Sequence, residues 1–147
     1  MSKKPDLFTD LEQEQIRKAI EDAEKNTSGE IRICAERNCP VPSAFDRAAS
    51  YFLKIGMDKT SLRNGVLIYI ATDDHKFAII GDEGINRQVP EGFWDSTKER
   101  MIGKFRTGSL ASGIIEGITA AGEQLQKLFP VQDGDKNELS DDISYIW

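Results

Sequence analysis

A continuous run of apolar, strand-forming residues from Val66 to Ala71 constrains the fold more than any other stretch of this chain. A strand with one face in water alternates polar and apolar residues, whereas an unbroken apolar run indicates a strand covered on both faces. We therefore predict that this strand lies at the centre of a sheet. A second apolar run, Phe77 to Ile80, follows a short turn-forming spacer, a pattern typical of an antiparallel hairpin.

The segment before the central run contains the pattern of one strand and one helix. Residues 30–36 alternate between apolar and polar side chains, which predicts a strand. Residues 44–55 carry apolar side chains at helical spacing and stop at Gly56. The order strand, helix, strand predicts a βαβ unit, in which the two strands are parallel and joined by a right-handed crossover.

Three further amphipathic segments predict helices: one begins at Thr9 or Asp10, one lies within residues 92–105, and one spans about 109–128. Gly113 and Gly117 lie four residues apart in the last helix, and we expect them to permit close packing on the sheet. The predicted fold class is α/β: a three-layer α/β/α sandwich with a mixed sheet of about four strands and helices on both faces.

The length and composition indicate one folded domain. A chain of 147 residues with 39% hydrophobic and 30% charged residues has enough apolar material for one core and is not a disordered sequence. We divide it into an α/β domain at 1–130 and an acidic tail at 131–147. The tail ends in apolar residues, which we expect to dock on the domain: Ile143, Tyr145, Ile146 and Trp147.

Net charge, apolar stretches and cysteine spacing each disfavour a class of protein. A net charge of -6 with no stripe of Lys and Arg disfavours nucleic-acid binding. No stretch is long and apolar enough for a membrane span, and no apolar segment typical of a signal peptide follows Met1, which predicts a cytoplasmic protein. Cys34 and Cys39 match neither a zinc pair nor a redox motif, so we expect two reduced thiols.

The predicted strand directions bring several polar groups to one end of the sheet. Four oxygen-bearing side chains from three chain segments meet there: Glu30, Asn64, Asp82 and Glu83. Carboxylate and amide oxygens suit a hard cation, so this end is the predicted calcium or magnesium site. Lys59 and Arg63 arrive at the same end and are predicted to bind a phosphate group of a substrate, with Arg63 supplying a bidentate fork.

Two alternatives stay open at this point. The segment from Gly81 to Gly84 has the composition of an ordinary turn, with Asp82 as a cap. The opposite end of the sheet carries Asp73 and Asp74 beyond the carboxyl ends of the parallel strands, where ligands usually bind in such sheets. We regard these two carboxylates as the less favoured cation ligands, because a solvated hairpin tip has the same composition.

Several segments together resemble the TPM domain, a family named for a thylakoid lumen protein, a photosystem II repair protein and a nematode receptor modulator. The segments are Ser28-Gly-Glu-Ile31, Arg63-Asn-Gly-Val-Leu-Ile-Tyr-Ile-Ala71, the acidic turn at Asp73, Gly81-Asp-Glu-Gly-Ile85 and the glycine-containing last helix. The resemblance covers roughly residues 8 to 128. It implies a Rossmann-like sandwich, calcium or magnesium binding in some members, and the acid phosphatase activity proposed for the plant member.

The chain departs from the family pattern at two acidic positions. Asn86 stands where members commonly have Glu, and Gly108-Ser109-Leu110 stands where they have Gly-Asp-Tyr. Two acidic groups of the family pattern are therefore missing, which counts against phosphatase chemistry. Most relatives also carry a signal peptide or membrane anchor, so this sequence resembles a cytosolic, bacterial-type branch.

These observations lead to two hypotheses of different classes. The first is a divalent-cation-binding protein with an interaction or regulatory role towards a partner that the sequence does not identify. The alternative is a metal-assisted, weak acid phosphatase acting on phosphate monoesters, in which Arg63 or Lys59 neutralises developing charge. The sequence offers no nucleophile or general base for the alternative, so whether the protein is an enzyme is left open here.

Overall fold

The computed structural model of the protein describes residues 7–131 and 143–146. The elements, in chain order, are α1 (Asp10–Glu24), β1 (Glu30–Glu36), α2 (Ala44–Lys54), a single 3-10 turn (Met57–Lys59), β2 (Gly65–Ala71), β3 (Lys76–Gly81), α3 (Glu83–Asn86), α4 (Asp95–Thr107), α5 (Leu110–Leu128) and β4 (Ser144–Tyr145). The predicted elements are therefore present, and the two short ones, α3 and β4, are additions that the sequence pattern did not predict.

The sheet has the strand order β3-β2-β1-β4 and confirms the predicted strand directions. β1 and β2 are parallel, in a register that pairs Glu30 with Gly65. β2 and β3 are antiparallel, in a register that pairs Val66 with Gly81. β2 is an internal strand in which all seven residues are buried, as the unbroken apolar run indicated.

Side chains that alternate along β2 separate the core into two layers. Val66, Ile68 and Ile70 belong to a cluster that includes α1, α4 and α5 residues. Leu67, Tyr69 and Ala71 belong to a second cluster with residues of α2. Helices thus cover both faces of a four-stranded mixed sheet, which confirms the predicted α/β fold class and is consistent with a three-layer sandwich.

Side-chain caps fix where the main helices begin. Thr9 and Glu12 form a capping box at the start of α1, in which each side chain accepts a hydrogen bond from the other residue's backbone N–H. Ser43 and Ser109 accept from the third residue of α2 and α5, respectively. Within the described residues, no helix is long and apolar enough to cross a membrane.

The expected role of the two glycines in α5 is wrong in one respect. A Cβ on Gly113 would lie 2.1 Å from the ring of Phe105, and one on Gly117 would lie 2.6 Å from the sulfur of Met101. Both neighbours belong to α4, so the glycines permit α4 and α5 to approach each other rather than permitting α5 to approach the sheet.

The chain returns to the sheet near its C-terminus. β4 pairs in parallel with Cys34 and Ala35 of β1, and the Ile146 N–H donates to the carbonyl oxygen of Ala35 over 2.9 Å. β4 contains only two residues, which is too short for a periodic sequence signal. Most of the acidic tail, residues 132–142, lies outside the described residues, as does Trp147.

Candidate functional site

The end of the sheet that the sequence singled out is formed where β1 and β2 begin and where β3 ends. The Asp82 N–H donates to the carbonyl oxygen of Gly65 over 2.9 Å, and the Glu30 N–H donates to that of Asn64 over 3.4 Å. These backbone bonds hold the three chain segments together. The structure therefore places Glu30, Asn64 and Asp82 at the same end of the sheet.

Arg63 and Asp82 form a bidentate ion pair at this end. The guanidinium donates from Nε to Oδ2 over 2.8 Å and from Nη2 to Oδ1 over 2.9 Å. A third nitrogen, Nη1, lies 3.4 Å from a carboxylate oxygen of Glu83. The hydrogen bonds to Asp82 raise the pKa of Arg63, and the charges of Asp82 and Glu83 act in the same direction.

The local backbone fixes the position of Arg63. Its φ is +52°, in the left-handed region that side chains other than glycine seldom adopt. The carbonyl oxygen of Arg63 accepts from the Gly84 N–H over 2.8 Å. A Cβ on Gly84 would lie only 2.4 Å from the carbonyl oxygen of Leu62, so a glycine is required at this close approach.

Asp82 also acts as a helix cap, the role that the turn interpretation assigned to it. Its Oδ1 accepts from the Glu83 N–H over 2.7 Å at the start of α3. Asn86, at the other end of this short helix, donates from its amide to the carbonyl oxygen of Gly81 over 3.1 Å. One carboxylate thus holds both a helix terminus and the Arg63 guanidinium.

A surface cavity of about 490 Å³ lies beside this ion pair. Three carboxylates line it, those of Asp58, Asp82 and Glu83, together with the guanidinium groups of Arg63 and Arg87. Arg87 forms an ion pair with Glu83 one helical turn away. The lining therefore carries three negative and two positive groups.

Sequence reasoning did not select two members of this group, Asp58 and Arg87, and Asp58 is the one that adds a carboxylate. Its Oδ1 is buried and has no hydrogen-bond partner among the described residues, and its charge contributes to the raised pKa of Arg63. The sequence feature that could have identified Asp58 is the loop from Asp58 to Arg63, because this loop returns to the same end of the sheet. The sequence could not show that the Asp58 side chain faces the cavity.

The remaining predicted residues lie outside this cavity. Glu30 and Asn64 are buried at 3% and 1% exposure, and neither lines it. The Asn64 amide nitrogen has no hydrogen-bond partner among the described residues. Lys59 is exposed and does not line the cavity either. Within the residues that the structure describes, no group of three or more His, Cys, Asp and Glu side chains has the arrangement of a metal site.

The opposite end of the sheet contains a buried network that the sequence did not predict. Arg47 of α2 donates to Glu36 of β1 from Nε over 2.8 Å and from Nη2 over 3.1 Å. The Tyr69 hydroxyl of β2 donates to the same carboxylate. Two sequence features could have indicated this network. They are the carboxylate of Glu36 at the end of a buried strand and the single tyrosine, Tyr69, in an otherwise aliphatic run.

Burial in this network changes the acidity of two side chains. Burial, reinforced by the hydrogen bond to Glu36, raises the pKa of Tyr69. Burial also raises the pKa of the Cys34 thiol to about 12, with a smaller contribution from the Glu36 charge. Both groups are therefore protonated and unreactive as nucleophiles at neutral pH.

Asp73 and Asp74 lie at this second end, as predicted, and each has a local partner. The Cys39 N–H donates to Asp74 Oδ2, which ties the hairpin tip to the loop after β1. Asp73 lies 4.0 Å from Arg37, a long and solvent-exposed pair. Asp74 therefore stabilises the hairpin tip, whereas the Asp73 pair is too long and too exposed to contribute much.

Comparison of the chain with known proteins shows which family it belongs to. A family model for the TPM domain matches residues 1–124. The chain belongs to the TPM domain family. The expected family membership is therefore confirmed, and the match includes residues 28–85, where four of the five segments that suggested the resemblance lie.

Solved structures support the assignment of this TPM domain. The NMR structure of the BA42 protein from the psychrophilic bacterium Bizionia argentinensis is 45% identical to the chain, covers 99% of both chains, and has a TM-score of 0.88. The N-terminal domain of a P. gingivalis protein is 20% identical, covers 84% of this chain and 80% of its own, and has a TM-score of 0.66. That second likeness shows the fold alone. No curated protein matches this chain.

Proposed function

We propose that this TPM domain binds a calcium or magnesium ion at the carboxylates of Asp58, Asp82 and Glu83, in exchange with the Arg63 guanidinium. The observation that carries the proposal is that these three carboxylates line one cavity, in which Arg63 contacts Asp82 and Glu83 and Arg87 contacts Glu83. With Arg63 in place the described carboxylates do not have the arrangement of a metal site, so the ion binds only when Arg63 leaves. Hard cations are bound by several oxygens at once, and carboxylates are their strongest ligands in proteins.

The exchange is supported by the exposure of Arg63. Its side chain is 42% exposed, so the guanidinium can leave Asp82 and be solvated without crossing a packed layer. Only the Arg63 half of the pair is exposed, because the Asp82 carboxylate is 5% exposed. A buried carboxylate without a cation is destabilising, so a divalent ion can take the place of Arg63 by supplying the charge that Asp82 needs. Asp58 Oδ1, which is buried and has no hydrogen-bond partner in the described part of the chain, supplies a further oxygen for the ion.

An interaction or regulatory role is supported by the surface next to the cavity. Leu53 lines the cavity and is 63% exposed, and Leu62, in the loop that leads to Arg63, is 44% exposed. Contiguous exposed apolar patches, unlike single exposed side chains, mark surfaces that bind other proteins, and the proposal takes these two leucines as parts of one such patch. An ion that displaces Arg63 changes the charge beside this apolar surface, and thereby controls binding of a protein partner.

The proposal is tested by titrating the protein with calcium and magnesium in a calorimeter and by following its melting temperature. An ion that binds only the folded state raises the melting temperature by mass action. We expect Asp82→Asn to lose most of this increase. Asp74→Asn, an equal change of charge at the other end of the sheet, should retain it.

A second variant distinguishes exchange from simple addition of an ion. Arg63→Gln removes the internal competitor and should bind calcium at least about fivefold more tightly than the natural chain, because exposed ion pairs reach this size and the Asp82 carboxylate is only 5% exposed. Weaker binding by Arg63→Gln, or an unchanged increase in melting temperature for Asp82→Asn, would show that the ion binds elsewhere or not at all.

The alternative, a metal-assisted phosphomonoesterase, needs Arg63 or Lys59 to be available to a phosphate. Arg63 is paired with Asp82, and Lys59 lies outside the cavity. We therefore expect no turnover of p-nitrophenyl phosphate by the pure protein, with or without magnesium. Turnover that requires magnesium and is lost in Asp82→Asn would favour the enzyme instead.

A further inference from the structure

A second cavity, of about 560 Å³, lies at the opposite end of the sheet from the proposed cation site. It opens between the tip of the β2–β3 hairpin, the end of α4 and the start of α5. Its apolar lining comes from all of these elements: Ile70, Phe77, Ile102, Phe105 and Leu110. Its volume falls within the range of about 300–1,000 Å³ that is typical of sites for small organic ligands.

The walls of this cavity are held by packing. Phe77 and Phe105 meet edge to face with their ring centres 5.3 Å apart. The Phe105 ring occupies the space left by the absent side chain of Gly113. Ile70 of the central strand is only 2% exposed and forms part of the floor. The apolar lining therefore belongs to the packed body of the domain, although one side of the cavity faces solvent.

The polar groups that line the cavity are basic, although the whole chain has a net charge of -6. They are the His75 imidazole, the Lys76 ammonium and the Arg106 guanidinium, and no described Asp or Glu lines the cavity with them. Lys76 Nζ donates to the carbonyl oxygen of Pro42 over 3.3 Å, and neither Lys76 nor Arg106 has an ion-pair partner among the described residues.

The start of α5 adds to the positive potential. α5 has 19 residues and begins at Leu110, which lines the cavity. The N-terminal end of a helix carries a partial positive charge from its backbone N–H groups. Apolar walls, two full positive charges and a helix N-terminus thus converge on one cavity. The walls favour an apolar body, and the two charges and the helix N-terminus favour an anionic group.

We propose that this cavity binds a small amphipathic anion, with an apolar body against Phe77, Phe105 and Ile70 and a carboxylate at Lys76 and Arg106. A medium-chain fatty acid has this chemistry. An apolar body alone would leave the basic groups unused, and an inorganic anion would leave the apolar walls unused. The inference is independent of the proposed cation site, because the two cavities share no lining residue.

The test is a two-dimensional amide NMR titration of the full chain with octanoate, with octan-1-ol as the uncharged ligand of equal length. We expect octanoate to shift the amides of Phe77, Ile102, Phe105 and Leu110 in a saturable manner and to bind more weakly as salt is added. Octan-1-ol should bind at least about threefold more weakly, because it lacks the charge that the basic groups recognise.

Charge variants test the carboxylate end of the ligand. Arg106→Gln and Lys76→Gln should each weaken octanoate binding roughly threefold to fivefold, the size expected for a partly exposed ion pair, and leave octan-1-ol binding unchanged. Lys104→Gln is the matched control, because Lys104 is an exposed cation of α4 that does not line the cavity.

Three results would overturn the proposal. The first is no saturable shift in this cavity at millimolar octanoate. The second is equal binding of octan-1-ol and octanoate, which would show that the basic groups do not select an anion. The third is binding to phosphatidylglycerol vesicles, lost in Arg106→Gln, by a protein that does not bind octanoate, which would assign the basic surface to a membrane instead.

Discussion

The two ends of the sheet carry ion pairs of the same kind in different surroundings. At one end Arg47 holds Glu36, and at the other Arg63 holds Asp82, each through two nitrogens and with an Nε to oxygen distance of 2.8 Å. The arginine side chain is 24% exposed in the first pair and 42% exposed in the second.

The two ion pairs also differ in the other side chains that lie near their carboxylates. Glu36 receives a hydrogen bond from the neutral hydroxyl of Tyr69, which completes a closed network. Asp82 has Glu83 and Asp58 near it, so the Arg63 guanidinium faces more negative charge than it neutralises. The first pair is therefore a part of the core, whereas the second is suited to exchange one cation for another.

The largest effect that we expect from the difference between the two ends is a loss of stability at alkaline pH, caused by the buried groups near Glu36. Burial raises the pKa of Cys34 from 9.0 to about 12. Above pH 9 the unfolded chain loses this proton while the folded chain keeps it, so this thiol alone lowers the free energy of unfolding by roughly 4 kcal/mol between pH 9 and about pH 12. Chemical unfolding at pH 8 to 11 measures this decrease.

A variant separates the contribution of the thiol. Cys34→Ala should make the decrease between pH 9 and pH 11 clearly smaller, and the remainder should come mainly from Tyr69, whose pKa is raised as well. An identical pH dependence in the variant and the natural chain would mean that Cys34 does not carry this effect.

The second effect is the contrast between two matched amide substitutions. Glu36→Gln leaves Arg47 without a charge partner in a mostly buried site, and we expect it to destabilise the fold by about 3 kcal/mol. Asp82→Asn keeps the cap of α3 and leaves Arg63 near Glu83 and solvent, so its cost should be clearly smaller. Urea unfolding of the two variants side by side measures the difference, and an equal loss in both would remove the distinction between the two ends.

The smallest of these effects concerns the Tyr69 hydroxyl. Tyr69→Phe keeps the ring in the core and removes one hydrogen bond to a charged group, which should cost about 1 to 2 kcal/mol in the free energy of unfolding. The same substitution should leave the affinity for calcium unchanged, because Tyr69 belongs to the other end of the sheet. A changed calcium affinity would indicate that the two ends are coupled.

The fold was predictable because its main determinant is a pattern in the sequence. The apolar run in β2 and its short spacer to β3 predicted a buried central strand and a hairpin, and strand direction then predicted which side chains share an end. β4 could not be predicted, because two residues contain no periodicity, and its pairing with β1 depends on a contact more than a hundred residues distant in sequence.

The candidate site was predictable in its location and not in its contacts. The sequence placed Arg63, Asp82 and Glu83 at one end, and the structure brings their side chains together. It assigned Arg63 to a phosphate, but the structure pairs it with Asp82. Which atoms meet depends on the left-handed backbone at Arg63 and the close approach at Gly84, and neither is visible as a residue pattern.

The most direct test of the account is a two-dimensional amide NMR titration of the full chain with calcium and magnesium, because it observes both ends of the sheet in one experiment. The account predicts saturable shifts at Asp58, Arg63, Asp82 and Glu83, and none at the Glu36 network. Shifts centred on Asp73, Asp74 and the loop around Pro40, or no shift at millimolar ion, would contradict it.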